Sequence, residues 1–149
     1  MTTEAMEKCK KQIKKHEGLR LEAYKDSLGY WTIGYGHYLG NAATPTPANI
    51  TQAEADALFE RDFAVAYEDA KRLVFGEWDA VGDARQAIVV NMSFNLGFNA
   101  LKNFKKMVTC LETHEYSKAA DEMLNSKWAA QVGKRATELA TQMRTGVWQ

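Results

Sequence analysis

The stretch HEGLRLEAYKDSLGYWTIGYGH, residues 16–37, contains the change of pattern that decides the fold. Before it, apolar positions recur at steps of three and four residues, which predicts an amphipathic helix over 3–17 that Gly18 is suited to end. From 19–38 the helical period is lost, and aromatic and β-branched residues are interrupted by glycines. With the turn signal DSLG at 26–29, this pattern predicts a small antiparallel hairpin or three-stranded sheet.

The chain after this sheet is dominated by helical patterns. The stretch 40–49 holds both prolines and is predicted as a loop, and TQAE at 51–54 is a capping box that starts a helix. The apolar spacing of that helix continues to about residue 74, which makes it long enough to connect two lobes. Further helices are predicted over 83–96, 104–114, 117–125 and 134–144.

These elements together predict an α+β protein with a single domain over residues 1–149. A small antiparallel sheet lobe is expected at about 16–50, and a connecting helix at about 52–74. A larger helical lobe is expected at about 77–149, and the N-terminal helix 3–17 joins it. A chain of 149 residues buries enough surface to hold a core of its own.

Composition and charge exclude several classes of protein. Hydrophobic residues make up 46% of the chain and charged residues 26%, as in ordinary globular domains and unlike disordered chains or fibres. The 19 Lys and Arg residues balance the 19 Asp and Glu residues, whereas a dedicated nucleic-acid-binding protein is usually basic. We therefore expect no nucleic acid as a partner.

The cysteines and the hydropathy pattern narrow the class further. Cys9 and Cys110 lie in or beside apolar helical stripes, which predicts two reduced, packed thiols instead of a disulfide framework. Because no spaced Cys/His cluster is present, we expect no metal and no cofactor. No run of about 18 apolar residues occurs, and the stretch 1–18 lacks the apolar segment of a secretory signal. We expect neither membrane insertion nor a signal peptide.

Two carboxylates in the opening stretch are candidates for chemistry. Glu17 continues the apolar stripe from Ile13 at a helix C-terminus, where burial and the helix dipole both disfavour a charged carboxylate, as a general acid requires. Asp26 opens the turn, and the returning strand brings Thr32 towards both. Taken singly, the first is also explained as a surface glutamate on a lysine-rich helix and the second as a turn-capping aspartate. Together, an acid, a carboxylate and a hydroxyl that holds a water are the minimal equipment for glycoside hydrolysis.

The residues around this pair resemble the phage lysozyme (endolysin) family, whose signature runs Glu-Gly-x-x-Leu…Tyr-x-Asp…Gly-Tyr-x-Thr-Ile-Gly-x-Gly-His. The separations from Glu17 to Asp26, Thr32 and His37 agree with that signature. The likeness continues in the same order through NMSFNLG (91–97), FKKMV (104–108), Trp128, Gln131, Arg135 and RTGVW (144–148), and so covers nearly the whole chain.

The resemblance implies a lysozyme-like fold and a glycoside hydrolase, namely a muramidase that cuts peptidoglycan between N-acetylmuramic acid and N-acetylglucosamine. It implies that Glu17 is the general acid that protonates the glycosidic oxygen. Asp26 and Thr32 would position the attacking water, which gives inversion at the anomeric carbon. Retention, with Asp26 as a nucleophile, is the alternative.

The resemblance also implies roles for residues outside the catalytic set. Tyr38 and Phe94 match positions that line the cleft and contact the sugar chain. Arg135 matches a basic residue near the acid, which it would hold in place while favouring the charged carboxylate. Further matches predict an ion pair between His37 and Asp62, and Met107 and Glu122 stand where small polar contacts to the wall peptide are expected.

The biological setting implied is the degradation of bacterial cell-wall peptidoglycan during host lysis. The enzyme would be a monomer, made in the host cytoplasm and active after release through the inner membrane.

Two alternatives remain: a lytic transglycosylase, which forms an anhydro product with one Glu and no water, and a non-catalytic wall-binding module. Asp26 and Thr32 argue against the transglycosylase, because that reaction uses neither a water nor a second carboxylate.

Overall fold

The structure is a computed structural model that describes residues 1–149. Its elements are α1 Thr3–Glu17, β1 Arg20–Lys25, β2 Trp31–Gly34, β3 His37–Gly40, α2 Gln52–Leu73, α3 Trp78–Val81, α4 Asp83–Leu96, α5 Phe98–Leu101, α6 Lys105–Glu112, α7 Tyr116–Leu124, α8 Lys127–Val132 and α9 Lys134–Thr145. The α+β class is confirmed, because one three-stranded sheet precedes a set of helices. None of the helices combines the length and the apolar character that crossing a bilayer requires.

Helix α1 begins and ends on local signals. The Thr2 hydroxyl accepts a hydrogen bond from the amide of Ala5, which caps the first turn. Gly18 ends the helix with a φ of 72°, a conformation that favours glycine, and its amide donates to the Lys14 carbonyl. The predicted range 3–17 is confirmed, and Glu17 is therefore the last residue of the helix.

The sheet is an antiparallel meander in the order β1-β2-β3, so the three-stranded alternative is the one that forms. Tyr24 of β1 is paired with Thr32 of β2, which in turn is paired with Tyr38 of β3. The turn between β1 and β2 is closed by the amide of Gly29, which donates to the carbonyl of Asp26. The first two strands thus place Asp26 at one end of the sheet.

Helix α2 connects the sheet to the helical lobe. Its predicted capping box is confirmed, because the Thr51 hydroxyl and the Glu54 carboxylate bond each other's backbone amides. The helix has 22 residues and is therefore about 33 Å long. It packs against β2 and β3 of the sheet and against α4 of the helical lobe.

The main core lies in the helical lobe. It is a cluster of 25 buried residues, and α4 supplies several fully buried members, among them Ile88 and Met92. The sheet has a separate small cluster of Ile33, Ile50 and Ala55. Cys9 and Cys110 are free, and burial raises the pKa of the Cys9 thiol to about 12.

The short helices depart from the sequence prediction. α3, α5 and α8 have four, four and six residues, and none was predicted, since one turn or so of helix is too short to show a period. The predicted helix over 104–114 is Lys105–Glu112, which ends two residues earlier. The other predicted helical ranges agree to within one residue at each end.

Candidate active site

Glu17 lies at the end of α1, with its side chain 12% exposed. Its Oε2 accepts a hydrogen bond of 3.0 Å from Nη1 of Arg135, a residue of α9. The prediction that Arg135 lies near Glu17 is therefore confirmed. The guanidinium holds the Glu17 carboxyl in one position at the end of the helix.

Gly36, in the turn between β2 and β3, packs directly against the Glu17 carboxyl. A Cβ on Gly36 would lie 2.5 Å from Oε1 of Glu17, and the residue has a φ of +70°. Only glycine satisfies both conditions. The sheet therefore contacts the Glu17 carboxyl through Gly36, a residue without a side chain.

Arg135 is itself held in position by Asn91, on the side of the guanidinium away from Glu17. Its Nε and Nη2 donate hydrogen bonds of 3.0 and 2.7 Å to Oδ1 of Asn91, which is fully buried in α4. Burial lowers the pKa of Arg135, and the charge of Glu17 and the hydrogen bond to it oppose that shift. Three helices thus meet at the polar group that holds Glu17.

Asp26 is held by the backbone of its own turn. Its Oδ1 accepts hydrogen bonds of 2.9 Å from the amides of Leu28 and Tyr30. The turn-capping explanation therefore accounts for one carboxylate oxygen of Asp26, Oδ1. No hydrogen bond engages Oδ2, so this oxygen has a lone pair available for another partner.

Tyr24 has a phenol that is influenced by the charges of both carboxylates, Glu17 and Asp26. Burial raises the pKa of its phenol, and the negative charges of Glu17 and Asp26 raise it further, while Arg20 opposes them. Both carboxylates therefore act on one hydroxyl and share an electrostatic neighbourhood. The site residues predicted from the sequence did not include Tyr24, although its place in the Tyr-x-Asp part of the motif was a signal.

Thr32 lies on the middle strand of the sheet and is buried. It is paired across the sheet with Tyr24 on one side and Tyr38 on the other, so these three side chains share a face. Its hydroxyl donates to the Tyr30 carbonyl at 3.3 Å. No hydrogen bond joins Thr32 to Glu17 or Asp26.

Tyr38 and Phe94 line one hollow of about 250 Å³ between the sheet and the helical lobe. Tyr38 is 61% exposed, and its ring lies against Tyr30 with 5.5 Å between ring centroids. Gly36, which contacts Glu17, lines the same hollow. The two positions that the resemblance assigned to sugar contacts are therefore brought together, beside the acid.

The predicted pairing of His37 with Asp62 is confirmed. Nδ1 of His37 lies 2.7 Å from Oδ2 of Asp62, and both side chains are about one-third exposed. Since His37 begins β3 and Asp62 lies in α2, this contact fastens the sheet to the connecting helix.

A larger hollow of about 580 Å³ lies in the helical lobe, and both Met107 and Glu122 line it. Its rim also carries three lysines, Lys105, Lys106 and Lys127. No group of three or more His, Cys, Asp or Glu side chains in the structure is arranged to hold a metal ion.

Comparison with known proteins gives a family and several relatives. The family model for phage lysozyme matches residues 14–144. The chain is 31% identical over 159 residues to a protein named probable T4-type lysozyme 1 of Dictyostelium discoideum, covering 92% of this chain and 94% of that protein.

Two phage proteins are similar over only part of their own length. The pre-baseplate central spike protein Gp5 of Enterobacteria phage T4 is 33% identical over 155 residues, which is 90% of this chain but 27% of the spike protein. An endolysin of Bacillus phage B103 is 33% identical over 124 residues, which is 82% of this chain and 44% of the endolysin. The chain thus spans about a quarter of the spike protein and less than half of the endolysin.

Proposed function

The chain belongs to the phage lysozyme family, and on that premise we propose that it is a muramidase. It hydrolyses the glycosidic bond between N-acetylmuramic acid and N-acetylglucosamine in bacterial peptidoglycan. The observation that carries this proposal is the position of Glu17, which is nearly buried against Gly36 at the edge of the hollow that Tyr38 and Phe94 line.

Glu17 is the general acid in this proposal. The carboxyl gives its proton to the glycosidic oxygen as the bond breaks. In the free protein Arg135 holds this group by a hydrogen bond of 3.0 Å. A sugar chain in the hollow excludes water from the 12% of Glu17 that is exposed, and this desolvation favours the protonated acid when substrate is bound.

Asp26 and Thr32 position the attacking water. Oδ2 of Asp26 is open to accept a hydrogen bond from a water molecule, and the Thr32 hydroxyl has lone pairs for a second one. With the water activated on the face opposite Glu17, the reaction inverts the anomeric carbon. Direct attack by Asp26 with retention is the competing mechanism.

Tyr38 and Phe94 hold the sugar chain in place. The exposed ring of Tyr38 offers a flat apolar face, which suits the apolar face of a pyranose. Phe94 packs on Phe59 with 5.3 Å between ring centroids, so its own position is fixed by the core.

Digestion of purified walls tests the proposed reaction. We expect muropeptide fragments with a reducing N-acetylmuramic acid end, and proton NMR of the first product should show the anomer opposite to that of the bond cut. Fragments lighter by one water would instead indicate a lytic transglycosylase. A wall suspension that keeps its turbidity while the protein binds to it would indicate a non-catalytic module.

We propose host-cell lysis as the setting, which the similarity to an endolysin supports. The similarity to a phage spike protein favours a second setting, namely wall penetration by a module of a particle. Detection of the chain in purified particles would favour the second.

We further propose that residues 1–149 form one monomeric domain, because one cluster of buried residues joins α1 to the helices up to α9. A single unfolding transition and elution at the monomer mass would support this.

A further inference from the structure

A continuous chain of hydrogen bonds runs behind Glu17 and ends at a histidine. Nη1 of Arg135 donates to Glu17, and Nε and Nη2 of Arg135 donate to Oδ1 of Asn91. Nδ2 of Asn91 lies 3.2 Å from Nδ1 of His16, and Nε2 of His16 lies 2.9 Å from Oε2 of Glu138. The chain therefore links α1, α4 and α9.

The direction of every bond in this chain follows from Arg135. A guanidinium has only donors, so the Asn91 atom that faces it must be the carbonyl oxygen. The Asn91 amide nitrogen then faces His16 and donates to Nδ1, which must carry no proton. The single proton of His16 is therefore on Nε2 and is donated to the Glu138 carboxylate.

We propose that neutral His16, with its proton on Nε2, is a positioning residue for the general acid. It orients Asn91 so that Asn91 fixes Arg135 against Glu17, and protonation of Nδ1 releases this arrangement. The inference rests on the proposed role of Glu17 and adds a pH-sensitive support to it. His16 contacts no substrate and acts only through Asn91 and Arg135.

Protonation of His16 leaves no satisfactory arrangement of the chain. A proton on Nδ1 faces the Asn91 amide group, so two donors meet. A flip of the Asn91 amide satisfies His16, but it then turns two donors towards the guanidinium of Arg135. Because Asn91 is fully buried, no water replaces the lost partner.

The charges that act on His16 come from α9 and from its own helix, while α4 presents the uncharged Asn91 to the ring. From α9, Glu138 accepts the ring proton, while Arg135 and Lys134 lie on the same side. From its own helix, Lys15 adds a positive charge. His16 lines an open hollow of about 240 Å³ together with Lys8, Lys11, Lys15 and Glu138, so protons from solvent reach the ring.

These surroundings favour the neutral ring. Burial lowers the pKa of His16 below its usual value of 6.5, Arg135 and Lys15 lower it further, and Glu138 opposes the shift. Since the pKa in the folded protein is lowered, the neutral form is complete above pH 6.5 and is lost as the pH falls through the folded value. The support for Glu17 is therefore expected to fail on the acid side.

Three variants test the proposal by their kinetics on soluble wall fragments. His16→Leu removes the acceptor and should lower kcat about tenfold while KM changes less than about twofold. His16→Asn keeps an acceptor near Nδ1 without titrating, so it should recover most of the kcat at pH 7.5 and lose less activity at acid pH than the wild type. His114→Asn removes another histidine–glutamate pair, exposed and 3.1 Å long, and should change neither value.

A second measurement does not use activity. Nitrogen-15 shifts of the His16 ring should show the Nε2–H tautomer at pH 7.5, and the Nε–H signal of Arg135 should move with the midpoint of the His16 titration. A proton on Nδ1 at pH 7.5, an unmoved Arg135 signal, or a His16→Asn acid limb identical to that of the wild type would overturn the proposal. If the wild type leaves walls intact, the proposed function fails, and the nitrogen-15 titration alone decides whether His16 controls Arg135.

Discussion

The two carboxylates of the site are held in different ways. Glu17 is fixed by a side chain from another helix, since Arg135, which is itself held by the buried Asn91, donates a hydrogen bond to its carboxylate. Asp26 is fixed by the amides of Leu28 and Tyr30 in its own turn. The acid therefore depends on the tertiary packing of the helical lobe, whereas the carboxylate on the sheet depends on a local turn.

The cores beneath the two groups differ in the same sense. The helical lobe has a cluster of 25 buried residues, and the sheet has one of three. Few buried contacts mean that a region opens at low free energy. We infer that the proposed general acid lies on the more stable part of the molecule, and that the residues proposed to position water lie on the part that opens more readily.

A matched pair of core substitutions tests this contrast with the largest expected effect. Ile88 in α4 and Ile33 in β2 are both fully buried, so both lose the same atoms on substitution by alanine. Ile88→Ala should cost about 4 kcal/mol of unfolding free energy, and Ile33→Ala about 2 kcal/mol, because the small cluster can collapse around the gap. Urea unfolding measures both. Equal losses would contradict the contrast.

Gly36 tests the contact between the sheet and the acid. Gly36→Ala forces a strained φ and drives a Cβ into the Glu17 carboxyl, so activity should fall about a hundredfold. Gly76→Ala is the control, because its φ is +91° and a Cβ there meets nothing within 4 Å. It should lose stability to strain while its specific activity on walls is kept. Similar activity losses in the two variants would show that strain alone, not the contact, matters at Gly36.

The pair between His37 and Asp62 tests how strongly the sheet is fastened to α2. Asp62→Asn removes the charge from a hydrogen bond of 2.7 Å and should cost about 2 kcal/mol. Amide hydrogen exchange should rise in β2 and β3 more than in α4, since only the sheet loses its anchor. Uniform exchange across both regions would instead mean that the two lobes open as one unit.

The smallest expected effect is the acid dependence of stability in the helical lobe. The pKa of Glu138 is lowered from 4.5 chiefly by its hydrogen bond from His16, and burial lowers that of His16 from 6.5. Because both folded values are lowered, both contributions are complete above pH 6.5. The share of His16 is lost as the pH falls through its folded value, and that of Glu138 is lost below pH 4.5. Thermal unfolding of His16→Asn should show a smaller drop in Tm between pH 7 and pH 5 than the wild type does.

The parts of the fold that the sequence predicted carry their signals within a few residues. Gly18 ends α1, and the Thr51–Glu54 box starts α2, because each motif bonds its own backbone. The proposed catalytic residues Glu17, Asp26 and Thr32 were taken from a motif in one short stretch. In contrast, the hydrogen-bonded chain behind Glu17 joins residues 44, 75, 118 and 122 positions apart, and no local pattern reports such pairs.

The surroundings of Glu17 likewise consist of a part that local sequence predicts and a part that depends on long-range packing. Its place on the helical stripe and at the helix end was readable from α1 alone, and both are present in the structure. That Arg135 is itself buried and held by Asn91, and so delivers its charge to one carboxylate oxygen, depends on how α4 and α9 pack.

The central claim is that the carboxyl group of Glu17 donates the proton that breaks the glycosidic bond. The most direct test is the clearing rate of purified walls by Glu17→Gln beside Glu7→Gln, an exposed carboxylate on the same helix. We expect Glu17→Gln to fold, to bind walls and to lose activity by at least about a hundredfold, while Glu7→Gln clears at the wild-type rate. A Glu17→Gln protein that clears walls as fast as the wild type would contradict the claim.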